Sequence, residues 1–149
     1  MRSGVFEDYQ TRLYFTTRLN RGQYGWNQDE PAVVEAACAL AVRRLFRMGY
    51  NAELVSHYVE EMFGRLETSG NQVPANRGQT QAIIQAGFWD PGAAISGLTP
   101  LRLMVMRGLV FIYACASLRM HERAVHRLIV EAERIAFEQG WNPPLAIGR

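Results

Sequence analysis

Apolar residues recur at helical spacing through most of the chain, and breaks in that spacing divide it into segments. Pro31 suits a first helical turn, and residues 33–48 carry an apolar residue every three or four positions until Gly49. Asn51 is placed to cap a second segment, whose apolar face covers residues 54–66. These two segments are predicted to be two helices or one bent helix.

The remaining pattern also predicts helices joined by loops. Residues 68–79 are rich in Gly, Asn, Ser, Pro and Gln, which is typical of a loop. A short helix is expected from about Thr80 to Phe88, ended by the turn sequence Trp89-Asp-Pro-Gly. A last amphipathic helix is expected from about Met120 to Gln139. The pattern therefore favours an all-α fold.

The segment Leu101 to Leu118 differs from the others because it is apolar on nearly every side. Thr99-Pro100 before it combines a capping hydroxyl with a first-turn proline. Such a helix is expected at the centre of the fold, surrounded by the amphipathic helices, with a length of about 27 Å. Because Arg102 and Arg107 interrupt its apolar run, we do not expect it to span a membrane.

Composition limits the kinds of protein that the chain can be. Its 149 residues are 48% hydrophobic and 20% charged, which fits a single domain covering residues 1–149. All 16 basic residues are arginine, but the formal net charge is only +2, so no strong polyanion-binding surface is indicated. Cys38 and Cys115 lie far apart in apolar runs and are expected to be buried rather than paired.

Motifs for catalysis or metal binding are missing from the sequence. His121 and His126 stand five residues apart, about 140° round a helix, so they do not form the zinc pair of a metalloprotease. We expect neither enzyme activity nor a cofactor or metal. Arginines between Arg119 and Arg134, and the cluster at residues 43–47, leave nucleic-acid binding as an alternative, but neighbouring acids dilute both groups.

Four short segments, taken in order, resemble the homology segments of the Bcl-2 family of apoptosis regulators. The aromatic stretch from Tyr9 to Trp26 resembles the N-terminal segment, and Leu45-Phe-Arg-Met-Gly49 resembles the third. Leu98-Thr-Pro-Leu-Arg102 resembles the first, of whose Asn-Trp-Gly-Arg motif only the arginine is present. Ile135-Ala-Phe-Glu-Gln-Gly140-Trp141 resembles the second. The resemblance implies a Bcl-2-like helical bundle with a central hydrophobic helix.

The resemblance also implies a hydrophobic groove that binds the amphipathic BH3 helix of a partner. In that family the BH3 aspartate pairs with the arginine that matches Arg102, and a guanidinium can hold a carboxylate through two parallel hydrogen bonds. Apolar residues from the second and third predicted helices, with Leu98, would line the groove. By position these lining residues are Val55, Val59, Met62, Phe63, Ile83, Ile84, Phe88 and Leu98.

The expected function is therefore that of an anti-apoptotic protein that sequesters BH3-containing pro-death proteins. The N-terminal segment and the lack of an aspartate after Gly49 favour this role over the alternative, a pro-apoptotic member of the same fold. A homodimer is a further option, and no nucleic-acid partner is expected. The expected location is the cytoplasm or the mitochondrial outer membrane, in a host cell if the protein is viral. Membrane contact is expected only through a C-terminal anchor that would follow these residues.

Overall fold

Five helices with well-defined ends make up the structure, a computed structural model that describes residues 30–70 and 72–138. No strand occurs among these residues, which confirms the all-α prediction. The helices are α1 (Glu30–Leu45), α2 (Ala52–Thr68), α3 (Arg77–Trp89), α4 (Pro100–Ser117) and α5 (Glu122–Glu138). The segment from Tyr9 to Trp26 and the Gly140-Trp141 pair lie outside the described residues.

Capping side chains fix where three of these helices begin. The Asn51 side chain accepts a hydrogen bond from the Leu54 N–H at the start of α2. Asn76 and Gln79 bond to each other's backbone N–H groups in a capping box at the start of α3. Each cap satisfies N–H groups that have no partner inside the helix. Gly49 adopts a φ of +104°, so α1 and α2 are two helices and not one bent helix.

The helix that packs against most of the others is the alanine-rich α1. Its main neighbours among the described helices are α3, α4 and α5, whereas α4 packs mainly on α1 and α3. The centre of the described bundle is thus shared by α1 and α4, the helix predicted from Leu101 to Leu118, which carries buried residues of both hydrophobic clusters. Small side chains at Ala36, Ala37 and Ala41 let neighbouring helices approach α1 closely on every side.

Two hydrophobic clusters meet at α1 and α4. One joins α1 to α4 and α5, with Phe111 and Ile129 among its fully buried members. The other joins α1 and α4 to α2 and α3, with Met62 and Ile84 fully buried. Since α4 contributes to both clusters, the two sides of this helix are covered by different neighbours, and the strip between them faces solvent.

Within residues 30–70 and 72–138, one helix, Pro100–Ser117, is long and apolar enough by length and composition to cross a membrane. Arg102 and Arg107 still leave this segment a mean hydropathy of 1.3, so the expectation that it does not span a membrane stays a prediction. Half of the segment is buried inside the bundle. A core helix meets the same test, so this feature is weak evidence for a membrane span.

Candidate functional site

The start of α4 carries the arginine that the sequence singled out, and the preceding loop fixes its position. Thr99 caps the helix by accepting a hydrogen bond from the Arg102 N–H at 3.2 Å, and Pro100 occupies the first turn. Gly97 adopts a φ of +84°, and the Gln79 side chain of α3 donates a hydrogen bond to the Ser96 carbonyl at 3.0 Å. The entry to α4 is therefore tied to α3.

An apolar strip lies on the solvent side of α4 beside this arginine. Leu101 is 66% exposed and Val105, one turn further on, is 45% exposed. Leu109 continues the same line and is half-buried. Residues four apart are displaced by about 40° round a helix, so these side chains form one narrow face. We call Leu101, Arg102 and Val105 the α4 face.

The Arg102 side chain is exposed on the edge of the α4 face nearer to α2 and α3. Within the described residues its guanidinium forms no ion pair and no hydrogen bond, and only its backbone N–H is engaged. Its five N–H donors are thus available to a carboxylate from outside the described bundle. An arginine at this position is compatible with ligand binding and is not required for internal packing.

The predicted groove walls occupy a different environment from Arg102. The α2 residues Val55, Val59, Met62 and Phe63 are between 0% and 4% exposed, and Ile83 and Ile84 of α3 fall in the same range. Phe88 and Leu98 are half-buried against the same cluster. In the described conformation these two walls pack against each other. A ligand helix could reach them only if α2 moved away from α3.

Sequence reasoning missed the role of Arg107, the buried arginine of the described bundle. It is buried, and its Nη2 donates hydrogen bonds to the carbonyls of Pro91 at 2.8 Å and Ala93 at 3.0 Å. Its Nη1 lies 3.7 Å from Oε1 of Glu35 on α1. The available signal was a lone arginine in the middle of an apolar helix, because a buried guanidinium needs partners.

Glu35 completes this network, and the pKa of its carboxyl is subject to two opposing effects. Burial raises the pKa of the Glu35 carboxyl above its ordinary value, the positive charge of Arg107 opposes the rise, and Asp90 adds to it. A Cβ atom added at Gly92 would lie 3.2 Å from Glu35 Oε2, so the loop passes close to the carboxylate. Glu35 and Arg107 together hold the loop between α3 and α4 against α1.

Two other candidate features do not form sites in the described residues. Arg134 pairs with both Glu131 and Glu138, so its charge on α5 is neutralised locally. This weakens the nucleic-acid alternative, which depends on free arginines along that helix. No group of three or more metal-binding side chains occurs within residues 30–70 and 72–138.

Both cysteines are free and buried, as expected from the sequence. Burial raises the pKa of each thiol, Cys38 and Cys115, to about 12. A thiol with such a pKa is almost entirely protonated at neutral pH and is a poor nucleophile. These residues therefore fill space in the core and do not supply chemistry.

Comparison with known proteins gives no relative for this chain. No family model matches it, and neither a curated protein nor a solved structure matches it. The α4 face and the network around Arg107 therefore have to be interpreted from their own geometry.

Proposed function

We propose that this protein binds a short amphipathic helix that carries an acidic residue, with the BH3 motif as its ligand, and that it sequesters pro-death proteins in this way. The observation that carries the proposal is the α4 face. Arg102 is exposed there without an ion pair in the described bundle, and Leu101 and Val105 beside it are exposed apolar side chains. The proposed contact is thus a charged anchor next to an apolar surface.

The chemistry of this face matches that of such a ligand. A BH3-type helix presents apolar residues at positions i, i+3 or i+4, and i+7, with a carboxylate close to them. Its apolar residues would cover Leu101 and Val105, while its carboxylate would accept two hydrogen bonds from Arg102. The apolar contact supplies affinity, and the charge pair fixes the register of the ligand.

The buried walls divide the proposed binding into two stages. A ligand first contacts the α4 face, which is already exposed. It then reaches Val59 and Met62 only by displacing α2, which is flanked by the described loop residues 46–51, 69–70 and 72–76. Separating α2 from α3 requires free energy, so the observed affinity would be lower than that of a preformed groove.

The proposed role is anti-apoptotic. It is supported by the N-terminal segment and by Tyr50 and Asn51, which follow Gly49 where a BH3 ligand helix would carry an aspartate. A chain that receives BH3 helices without presenting one would restrain its partners and not activate them. A pro-apoptotic role in the same fold is the alternative.

The test is calorimetric titration of the protein with a panel of BH3 peptides, with each peptide also made with its aspartate replaced by alanine. Arg102→Glu should weaken binding at least tenfold, about 1.4 kcal/mol, because attraction becomes repulsion. The matched control is Arg65→Glu, which reverses an exposed arginine that lies on α2 and is not part of the α4 face. Arg65→Glu should bind as the wild type does.

Separate variants test the apolar part of the α4 face. Leu101→Ser and Val105→Ser should each weaken the peptide, whereas Val130→Ser, at an exposed valine on α5, should not. If no peptide binds the wild type, or if Arg102→Glu and Arg65→Glu behave alike, the proposed contact is wrong. Peptide-independent self-association that is lost with Leu101→Ser would instead assign the α4 face to a homodimer.

A further inference from the structure

The ends of α1 and α4 lie at the same end of the bundle. Near the start of α1, Glu35 is beside Arg107 of α4. Near the end of α1, Arg44 acts electrostatically on Cys115, which lies later in α4 than Arg107. The two helices therefore run in the same direction. The residues that follow them, 46–50 and 118–121, meet at one end of the molecule, where Leu45 and Met120 pack on the same cluster.

This end is rich in arginine. Arg43 and Arg44 lie in the last turn of α1, where the negative end of the helix dipole favours them. The helix dipole does not account for three further exposed arginines: Arg47 and Arg119 lie outside the helices, and Arg123 lies in the first turn of α5. None of the five forms an ion pair within the described residues. We call this surface, with residues 46–50 and Trp89, the arginine-rich end.

Acidic residues are fewer on the same surface. Glu53 and Glu122 are the acids within residues 43–54 and 117–123, and Asp90 follows Trp89. Asp90 acts electrostatically on Glu35, which lies in the first half of α1, whereas Arg43 and Arg44 lie in its last turn. The arginine-rich end therefore has an excess of positive charge, although the whole chain is close to neutral.

Large apolar side chains are exposed among these arginines. Met48 is 98% exposed, and Trp89 is 65% exposed. The Tyr50 ring packs edge-on against the Trp89 ring, with centroids 5.4 Å apart, and connects the two segments. Arg43 donates a hydrogen bond to the Gly87 carbonyl at 2.8 Å, which places the end of α3 beside the end of α1. Tyr50 and Trp89 thus lie together near Arg43, and Met48 is exposed in the same 46–50 segment, next to Arg47.

We propose that the arginine-rich end docks on the surface of an anionic lipid membrane. Arginines attract anionic headgroups, while Met48 and Trp89 enter the boundary between headgroups and acyl chains, where tryptophan is favoured. A nucleic acid would use the same arginines, but it offers no apolar layer for a fully exposed methionine. The proposed membrane binding is peripheral, and it does not depend on the proposed binding of a helical ligand.

The probe is co-sedimentation with phosphatidylcholine vesicles containing about a quarter phosphatidylserine, compared with phosphatidylcholine alone. Wild-type protein should bind the phosphatidylserine vesicles, and binding should fall as salt is added. Because a basic residue near such a surface contributes about a fivefold change in affinity, Arg44→Gln with Arg47→Gln should weaken binding roughly thirtyfold. Met48→Ser should weaken it without changing the salt dependence.

Control variants make the same kinds of substitution at other positions on the surface. Arg65→Gln and Val130→Ser alter an exposed arginine and an exposed apolar residue elsewhere, and both should bind vesicles as the wild type does. Arg102→Glu should also bind vesicles normally, so a failure of the helical-ligand proposal leaves this one standing. Far-ultraviolet circular dichroism establishes that every variant is folded.

The proposal is overturned if wild-type protein does not bind phosphatidylserine vesicles, or if the Arg44→Gln, Arg47→Gln double variant binds as well as Arg65→Gln. Binding to a single-stranded oligonucleotide in place of vesicles, lost in the same double variant, would assign the arginine-rich end to nucleic acid and also overturn it.

Discussion

Replacing Arg107 by methionine tests whether the buried network holds the loop between α3 and α4. Methionine is unbranched and fills a similar space, but it carries no charge and no donor. The Arg107→Met variant loses two hydrogen bonds to the carbonyls of Pro91 and Ala93 and the contact with Glu35. It leaves two acceptors and a carboxylate without their partner.

The expected loss follows from these contacts. Removing one member of a buried ion pair costs about 3–5 kcal/mol, and an unsatisfied buried acceptor costs about 1–3 kcal/mol. Glu35 keeps a quarter of its side chain in water, and its distance of 3.7 Å to Arg107 is long, so the low end applies. We expect a loss of about 3 kcal/mol, a large share of the stability of a typical domain.

Equilibrium unfolding in urea, followed by circular dichroism, measures this loss at neutral pH. The control Arg65→Met removes an exposed arginine and should stay within about 0.5 kcal/mol of the wild type. Adding Glu35→Gln to Arg107→Met should recover part of the loss, because an unpaired carboxylate is then absent. A loss below about 1 kcal/mol for Arg107→Met, similar to that of the control, would refute the network as a source of stability.

Three further outcomes are expected. Burial raises the pKa of the Glu35 carboxyl above 4.5, so the protonated form favours folding. The wild type should therefore lose stability relative to Glu35→Gln as the pH rises from 4.5 through the pKa of the folded state. A difference in urea unfolding that does not change with pH would contradict this. Gly87→Ala should destabilise the protein by about 1–3 kcal/mol, because the new Cβ would lie 2.8 Å from Val42 Cγ2. Gly64→Ala should be tolerated in the same assay, because no atom lies within 4 Å of its new Cβ. Cys38 and Cys115 should react with iodoacetamide only when the protein is unfolded, and rapid labelling of native protein, read by mass spectrometry, would show that they are accessible.

Local sequence signals predicted the helices well because each signal acts within a few residues. The cap at Thr99 and the proline after it placed the start of α4 within one residue, and Asn51 did the same for α2. The loop before α3 was predicted too long, since the capping box of Asn76 and Gln79 starts that helix at Arg77 and not near Thr80. The burial of both cysteines was also predicted correctly.

Features that depend on which helices meet were not predictable in the same way. The apolar content of α4 predicted a central position, but it did not show that the small side chains of α1 let that helix share the centre. The partners of Arg107 come from α1 and from a loop, and no spacing along the chain connects them. Arg102 is exposed, and its role in binding a ligand stays a prediction.

The position of α1 has a consequence for how the chain acquires its structure. Two of its three main neighbours, α4 and α5, are the last helices of the described chain, so α1 leaves the ribosome long before they exist. Contacts between distant segments slow folding even in a helical protein, and the alanine face of α1 stays uncovered meanwhile. A nascent chain that stops before Pro100 therefore lacks two of the three main partners of α1, and folding should proceed as one late, cooperative step once α5 is complete.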